Sequence, residues 1–316
     1  MFKITNILVI FISLTFCQNN IGAKFLLIPP GAKATSLGNA QVASPGDIFS
    51  PFWNPASLMS IKKTTFGLVH FKWFPNLAND MYYNFLGFNH SFKNAGSIGG
   101  HLIHLNLGSQ LHTGNAKDDI LGSFQSFMNA VVISYAKSYS KKLSYGVNIR
   151  WFHQHLFNIN SDLLNSSAIS NSYNFDIGIL LNQIYNEINL GLTIKHLGSE
   201  ISFSSDDKQL QPLMATVGIF APIVKLKKYH SFILYDLQYT KSNGGVVSHS
   251  VGLENKLFNQ FLLRVGYNIN GLNDLNNLSI GSGFNINNFI FDFSILFGKT
   301  DNFINNTFQF SLQYEI

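Results

Sequence analysis

The stretch "LSYGVNIRWF", residues 143–152, decides the fold class because apolar and polar side chains alternate along it without interruption. One face carries Leu143, Tyr145, Val147, Ile149 and Trp151. The other carries Ser144, Gly146, Asn148 and Arg150. A period of two residues is typical of a β-strand whose two faces meet different surroundings. The stretch therefore predicts a strand with one apolar and one polar face.

The same period recurs along most of the chain, including 277–286, 288–298 and the C-terminal "TFQFSLQYEI". The alternating runs predict an all-β protein of about fourteen strands. These lie near 64–73, 80–91, 96–107, 124–137, 142–156, 171–182, 187–197, 212–220, 228–239, 246–255, 260–269, 277–286, 289–298 and 305–316.

The connectors between these runs distinguish a membrane barrel from a soluble sandwich, which also alternates. Tight turns follow the second, fourth and sixth strands, whereas the third, fifth and seventh are followed by 108–121, 157–170 and 198–211. Long connectors at one end and short turns at the other are typical of outer-membrane barrels. We therefore expect a transmembrane antiparallel β-barrel. An even strand count places both chain ends on the periplasmic side.

Composition agrees with an exported membrane protein. Charged residues make up 12% of the chain and aromatic residues 14%; soluble domains carry about 25% charged residues. Residues 1–23 have the layout of a cleaved signal peptide, with Lys3, an apolar run and Gly22-Ala23. Cys17 leaves lipidation as an alternative, although Phe16 stands where a lipidation box has a small residue.

The formal charge of +5 is modest, and the Lys and Arg residues are scattered rather than clustered. This pattern excludes nucleic acid as a partner.

Five of the eight prolines precede the first predicted strand, at 29, 30, 45, 51 and 55. Proline cannot donate to a strand ladder, so residues 24–62 form a region separate from the sheet. A barrel of fourteen strands has a lumen too wide for its own side chains to fill. We therefore expect residues 24–62 to fold inside it as a hatch, with the barrel formed by residues 63–316.

The N-terminal region "FLLIPPGAKATSLGNAQVASPGDIFSPFWNPASL" (25–58) resembles the signature of the PorV/PorQ family of outer-membrane proteins, which are relatives of FadL-type transporters. The signature residues in this chain are Gly31, Gly38, Asp47, Trp53, Asn54, Pro55 and Ala56, with Lys33 in place of the usual arginine. Later runs such as 131–152 and 189–198 resemble family strands in the same order, so the resemblance covers nearly the whole mature chain.

The resemblance implies a fourteen-stranded barrel with an N-terminal hatch, embedded in outer-membrane lipids. It implies a non-enzymatic role in type IX secretion, with the translocon, cargo signal domains or attachment complex proteins as partners. FadL relatives instead admit long-chain fatty acids or other hydrophobic compounds, which leaves a hydrophobic small molecule as the alternative ligand. A purely structural role in the envelope is a third possibility. No cofactor is expected.

Two sets of residues are candidates for function. Asn54-Pro55-Ala56 is either a rigid turn or a hatch corner that a partner rearranges. The inward faces of the strands carry charges that either pair with one another or line a polar path. These are Arg150, Asp176, Lys195, Asp236, Glu254, Arg264 and Asp292.

Other patterns in the sequence say less about function. His101 with His104, and His153 with His155, supply two ligands each, which is too few for a metal site. No nucleophile, phosphate-loop or zinc-protease motif occurs in the sequence. The connector "SSDDKQLQP" (204–212) is the most polar of the long connectors and a candidate surface for protein contact.

Overall fold

A computed structural model describes residues 21–113, 120–160, 165–203, 208–241, 245–269, 276–298 and 305–316. Residues 1–20 of the predicted signal peptide lie outside these ranges.

Fourteen strands form a closed antiparallel barrel in which sequence neighbours pair and the first strand pairs with the last. The barrel strands are β1 (Thr65–Lys72), β2 (Tyr82–Phe92), β3 (Gly96–Thr113), β4 (Ile120–Ser138), β5 (Leu143–Asn160), β6 (Asn165–Leu181), β7 (Asn189–Gly198), β10 (Met214–Leu226), β11 (Tyr229–Thr240), β12 (Val246–Leu257), β13 (Phe261–Ile269), β14 (Asn277–Ile286), β15 (Phe289–Phe297) and β16 (Thr307–Glu315). The connector from β7 to β10 contains a two-stranded ladder of β8 (Ile201–Ser202) and β9 (Lys208–Gln209).

The predicted antiparallel barrel of about fourteen strands is confirmed, and the main correction concerns the length of the strands. Strands β3 to β6 have 17 to 19 residues, whereas the other barrel strands have 8 to 13. Much of the predicted connectors 108–121 and 157–170 is therefore strand. Bulges at Asn106/Ser109 and His155/Phe157 shift the register there, which interrupts the alternation that predicted the strands.

Pro222 follows the predicted strand 212–220 in the sequence and lies inside the longer β10. The register shifts between Pro222 and Val224, and a bulge is one of the few places where a sheet tolerates proline.

The outer surface of the barrel is apolar because the outward positions of the strands carry large hydrophobic side chains. Examples are Leu68, Leu86, Ile133, Ile177 and Leu263, which are 47%, 50%, 64%, 48% and 53% exposed. This is the surface that a transmembrane barrel presents to lipid. Among the described residues, no helix is long and apolar enough to cross a membrane.

A row of alternating His and Asn residues crosses the outer face from β1 to β6, with each residue paired to the next across the sheet. The row is His70, Asn84, His104, Asn129, His153 and Asn171. Each histidine Nδ1 lies 2.7–3.0 Å from an asparagine Oδ1. His101 points the other way and is buried in the lumen, so it cannot act together with His104.

The N-terminal segment, defined here as residues 21–63, runs through the lumen. It contains one short α-helix, α1 (Ala32–Ser36), and the 3-10 helices Lys24–Leu27, Ser50–Phe52 and Pro55–Ser60. Gly22 N donates to Leu210 O (2.9 Å) in the connector from β7 to β10, which belongs to the long-connector end. Ile316 N donates to Thr64 O (2.8 Å) at the short-turn end.

Gly22 and Ile316 therefore lie at opposite ends of the barrel. The physical reason is that a segment filling a lumen enters at one end and must reach β1 at the other.

The lumen is apolar on one side. Inward residues of β1 to β5 form a core with the N-terminal segment, in which Phe25 packs edge-on against Phe152 (6.0 Å between ring centroids) and Phe49 packs against Phe85 (5.5 Å). Strict alternation predicted a polar inner wall, but here both faces of the strands are apolar. The aromatic residues of the segment provide the reason, because they cover the inner face.

Candidate functional site

The candidate site is the interface between the N-terminal segment and the inner wall of the barrel. The signature residues of the segment and the charged residues of the inward strand faces lie on it. Its geometry begins with glycines that let the two surfaces approach.

Four pairs of glycines face each other across neighbouring strands of the inner wall. The pairs are Gly67–Gly87, Gly146–Gly178, Gly191–Gly218 and Gly252–Gly266. Each pair receives one part of the segment: Ile48, the corner 54–56, Val42 with Ala43, and Leu37 with Gly38, in that order. A side chain at most of these positions would overlap the segment. Each glycine pair therefore leaves a notch in the inner wall, and the four notches fix the path of the segment.

The corner Asn54-Pro55-Ala56 occupies the second notch and is fully buried. Asn54 Oδ1 accepts from Ala56 N (3.0 Å), which caps the helix that starts at Pro55. Asn54 Nδ2 donates to Val42 O (2.8 Å) in the segment and to Ile179 O (3.0 Å) in β6. Asn54 thus connects two parts of the segment to the wall. Its side chain uses both amide donors and one of the two lone pairs of its oxygen.

The remaining signature residues shape the segment itself. Gly31 and Gly38 have φ of +91° and +62°, which L side chains rarely adopt. A Cβ on Gly38 would also lie 2.6 Å from Tyr267 O. Trp53 packs edge-on against Phe52 (5.2 Å), and its Nε1 has no partner among the described residues.

Lys33 and Asp47 form an ion pair inside the segment (Nζ–Oδ2 3.1 Å), and both side chains are mostly buried. Asp47 Oδ1 also accepts from Phe49 N and Ser50 Oγ, at 2.9 Å each. Burial alone would raise the pKa of Asp47, but the Lys33 ammonium and these donors outweigh it and lower that pKa. Burial alone would lower the pKa of Lys33, but the Asp47 and Glu254 carboxylates raise it above its usual value.

Two clusters of charged residues lie on the inner wall of the barrel. In the first, Arg150 pairs with Asp176 (Nη2–Oδ2 2.7 Å) and donates to Asn174 Oδ1 (2.6 Å). Asn148 Nδ2 links this cluster to the segment by donating to Asp176 Oδ2 and to Pro51 O, each at 2.9 Å. Buried charges are tolerated when they are paired and hydrogen-bonded in this way.

The second cluster centres on Arg264, whose Nε donates to Glu254 Oε2 and whose Nη1 donates to Asp292 Oδ1, each at 2.6 Å. One guanidinium thus bridges two carboxylates, so the charged groups of this cluster are paired with one another rather than free to line an open path.

Lys195 and Asp236 differ from the other charges because neither forms an ion pair with a described residue. Lys195 Nζ donates to Phe52 O (3.1 Å) and lies over the Phe52 ring, 4.6 Å from its centroid. Asp236 Oδ2 accepts from Gln41 N (2.7 Å) and Val42 N (2.9 Å). Both residues border a cavity of about 90 Å³ between the segment and the wall. Each of these two side chains therefore anchors the segment by hydrogen bonds to backbone atoms of the segment.

Sequence reasoning missed His196 and Gln211. His196 has φ of +60°, so it turns inward beside Lys195 instead of outward, and Arg150 Nη1 lies 2.9 Å from its Nδ1. No signal in the sequence marks this bulge. Gln211 belongs to the connector predicted as a contact surface, yet it is buried and its Nε2 donates to Tyr173 O (3.0 Å). Residues 204–207 of that connector lie outside the described residues.

Within the described ranges, no three His, Cys, Asp or Glu side chains lie close enough together to hold a metal ion. The chemistry of the interface is therefore hydrogen bonding and packing between the N-terminal segment and the inner wall of the barrel.

Comparison with known proteins adds a family and a fold. A family model described as "Type IX secretion system protein PorV" matches residues 18–218, which is more than half of the chain. Among curated proteins, no sequence matches.

Solved structures similar to this chain include the toluene transporter TbuX of Ralstonia pickettii, with a TM-score of 0.64 and 14% identity, covering 92% of this chain and 100% of that one. The toluene transporter TodX of P. putida gives 0.61 and 11%, covering 91% and 98%. A FadL homologue of Pseudomonas aeruginosa gives 0.54 and 11%, covering 95% and 99%. At these identities the likeness shows the FadL-like barrel fold alone.

Proposed function

This chain belongs to the PorV family of type IX secretion system proteins, and on that premise we propose that it is a non-enzymatic component of type IX secretion. It binds exported proteins or attachment complex proteins at the long-connector end of an outer-membrane barrel. The short turns and the C-terminus then face the periplasm, and the long connectors face outward. Residues 24–62 act as the hatch.

The observation that carries this proposal is the projection of β3 to β6 beyond the other strands. The excess of about seven residues corresponds to roughly 20 Å along the strands. The projecting part exposes apolar side chains: Leu111 and Ile120 are each 63% exposed, and Leu121 is 46% exposed. Exposed apolar side chains on a structure that extends past the membrane band are typical of a surface that binds protein.

The lumen supports the same function. The segment runs through it, and the charged residues of the Arg150 and Arg264 clusters are ion-paired with one another. A lumen of this kind favours a partner that binds the rim over a polypeptide that passes through the barrel.

The test is a deletion strain in which surface and secreted proteins are quantified against the periplasmic pool by mass spectrometry. We expect proteins with type IX signal domains to accumulate in the periplasm. Restoring the full chain should correct the defect, whereas a chain with Leu111, Ile120 and Leu121 changed to serine should not. An unchanged distribution in the deletion strain would contradict the proposal for a non-redundant component.

A second candidate function is transport of a hydrophobic compound. The apolar inner wall of β1 to β5 favours transport, because this wall continues toward the long-connector end. There the inward side chains Phe124 and Phe157 of the projecting strands pack together, with 6.2 Å between their ring centroids. In this structure Phe25, Leu26 and Ile28 of the segment occupy that apolar side. Uptake of labelled fatty acids that falls in the deletion strain, with secretion intact, would favour this alternative.

A further inference from the structure

The cavity beside Lys195 and Asp236 is lined by groups of three kinds. It lies between the segment and strands β7, β10, β11, β12 and β13. Leu26, Leu27 and Met214 give it an apolar side, and the two charged residues give it a cation and an anion. Its volume of about 90 Å³ compares with roughly 10–15 Å³ for one water. It therefore has room for a small organic molecule.

The charged groups keep unused hydrogen-bonding capacity. An ammonium has three donors, and Phe52 O is the hydrogen-bond acceptor that the described residues give Lys195. The ammonium also lies over the rings of Phe52 and Trp53, 4.6 and 5.5 Å from their centroids. Asp236 Oδ2 accepts both backbone bonds, which leaves Oδ1 without a described donor. The two side chains are 3% and 4% exposed, so little water screens their charges.

Uncharged groups around the cavity also lack partners. Trp53 Nε1, Asn39 Oδ1 and Ser248 Oγ are buried and have no hydrogen-bond partner among the described residues. All three residues line the same cavity. An indole N–H, an amide oxygen and a hydroxyl are a donor, an acceptor and a group that can be either. Buried polar groups in proteins are nearly always satisfied, so these three add unmet hydrogen-bonding capacity to that of the two charged residues beside the cavity.

We propose that this cavity binds a small zwitterion, a free amino acid. Its carboxylate lies at Lys195, its ammonium at Asp236 Oδ1, and its side chain against Leu26 and Leu27. A ligand of this class neutralises both charges at once. An anion alone would leave Asp236 unpaired, and a cation alone would leave Lys195 unpaired.

Occupancy stabilises the segment against the wall. Lys195 holds Phe52 O, and Asp236 holds Gln41 and Val42, so a ligand that bridges the two side chains connects the middle of the segment to β7 and β11. The ligand therefore binds the closed arrangement and raises the temperature at which the segment leaves the wall.

The test uses the full-length mature protein in detergent, with thermal unfolding followed against L-alanine at micromolar to millimolar concentrations. Acetate and methylammonium serve as the two half-ligands. We expect a saturable rise of about 2–4 °C with alanine and a much smaller response to either half. Lys195→Met and Asp236→Asn should each weaken the response at least about tenfold, while Lys228→Met, which removes an exposed lysine, should leave it unchanged.

Folding of each variant is checked by the heat-dependent gel mobility of barrels. If acetate matches alanine and Asp236→Asn keeps the full response, the site takes an anion and the zwitterion assignment is wrong. If no compound gives a saturable response, the cavity holds water only and the proposal fails. A rise that grows without saturating, equally in all variants, is a general co-solvent effect and also overturns it.

Discussion

Gly146→Ala should detach the corner of the segment from the barrel wall. A Cβ added at Gly146 would lie 2.5 Å from Pro55 C and 2.6 Å from Ala56 N, both backbone atoms in a fully buried corner. Strand β5 is hydrogen-bonded to β4 and β6 at this position, so the segment is the part that gives way. Overpacking costs ~1–3 kcal/mol, and shifting the corner also strains the bonds of Asn54.

A loss of about 2 kcal/mol raises the population of the detached segment roughly 30-fold. Trypsin cleavage after Lys33 reports this population, because Lys33 is mostly buried and ion-paired when the segment is seated. Gly87→Ala is the matched control: its Cβ would meet the side chain of Ile48 at 3.1 Å, which can adjust. We expect cleavage of Gly146→Ala to be about 10- to 100-fold faster than that of the control. Equal rates in the two folded variants would refute the role of the notch.

Three further predictions concern charges. Asp236→Ala removes the hydrogen bonds from Gln41 N and Val42 N, a loss of ~1.5–3 kcal/mol, and should speed the same cleavage roughly 10- to 150-fold; an unchanged rate would show that Asp236 does not anchor the segment. Arg150→Met leaves Asp176 buried without its cation and should lower stability by ~3–5 kcal/mol in urea unfolding, whereas Arg150→Met with Asp176→Leu should recover most of the loss. The lowered pKa of Asp47 means that its contribution is complete above its usual pKa of about 4 and is lost as pH falls through the lowered value. Pepsin should therefore cut the wild-type segment faster as pH drops below about 4. The cleavage rate of Asp47→Asn should not change with pH over this range. An unfolded substrate corrects both rates for the pH dependence of pepsin itself.

The strands were predictable because their information is local. Alternation over 143–152 predicts both the existence of β5 and the inward direction of Arg150, since each residue of a regular strand fixes the direction of the next. The same rule fails at His196, where a positive φ after Lys195 turns two successive side chains inward. It also fails at Gly108, where a bulge interrupts β3 before its last residues.

The interior was less predictable because its contacts join distant parts of the chain. Gly146 and Gly178 stand out as glycines on polar strand faces, and such glycines indicate that another backbone approaches closely. Nothing local identifies Asn54-Pro55-Ala56 as that backbone. The apolar inner wall at Phe85 and Phe152 was hidden for the same reason, because only the position of Phe25 and Phe49 in the lumen explains it.

Closure of the lumen by the N-terminal segment is the central claim, and ion conductance in planar lipid bilayers tests it most directly. The comparison is between the intact mature protein and a variant lacking residues 24–62, with heat-dependent gel mobility confirming that both barrels are folded. The intact protein should conduct little or no current, and the shortened protein should form stable open pores. Equal conductance of the two folded proteins would contradict the claim.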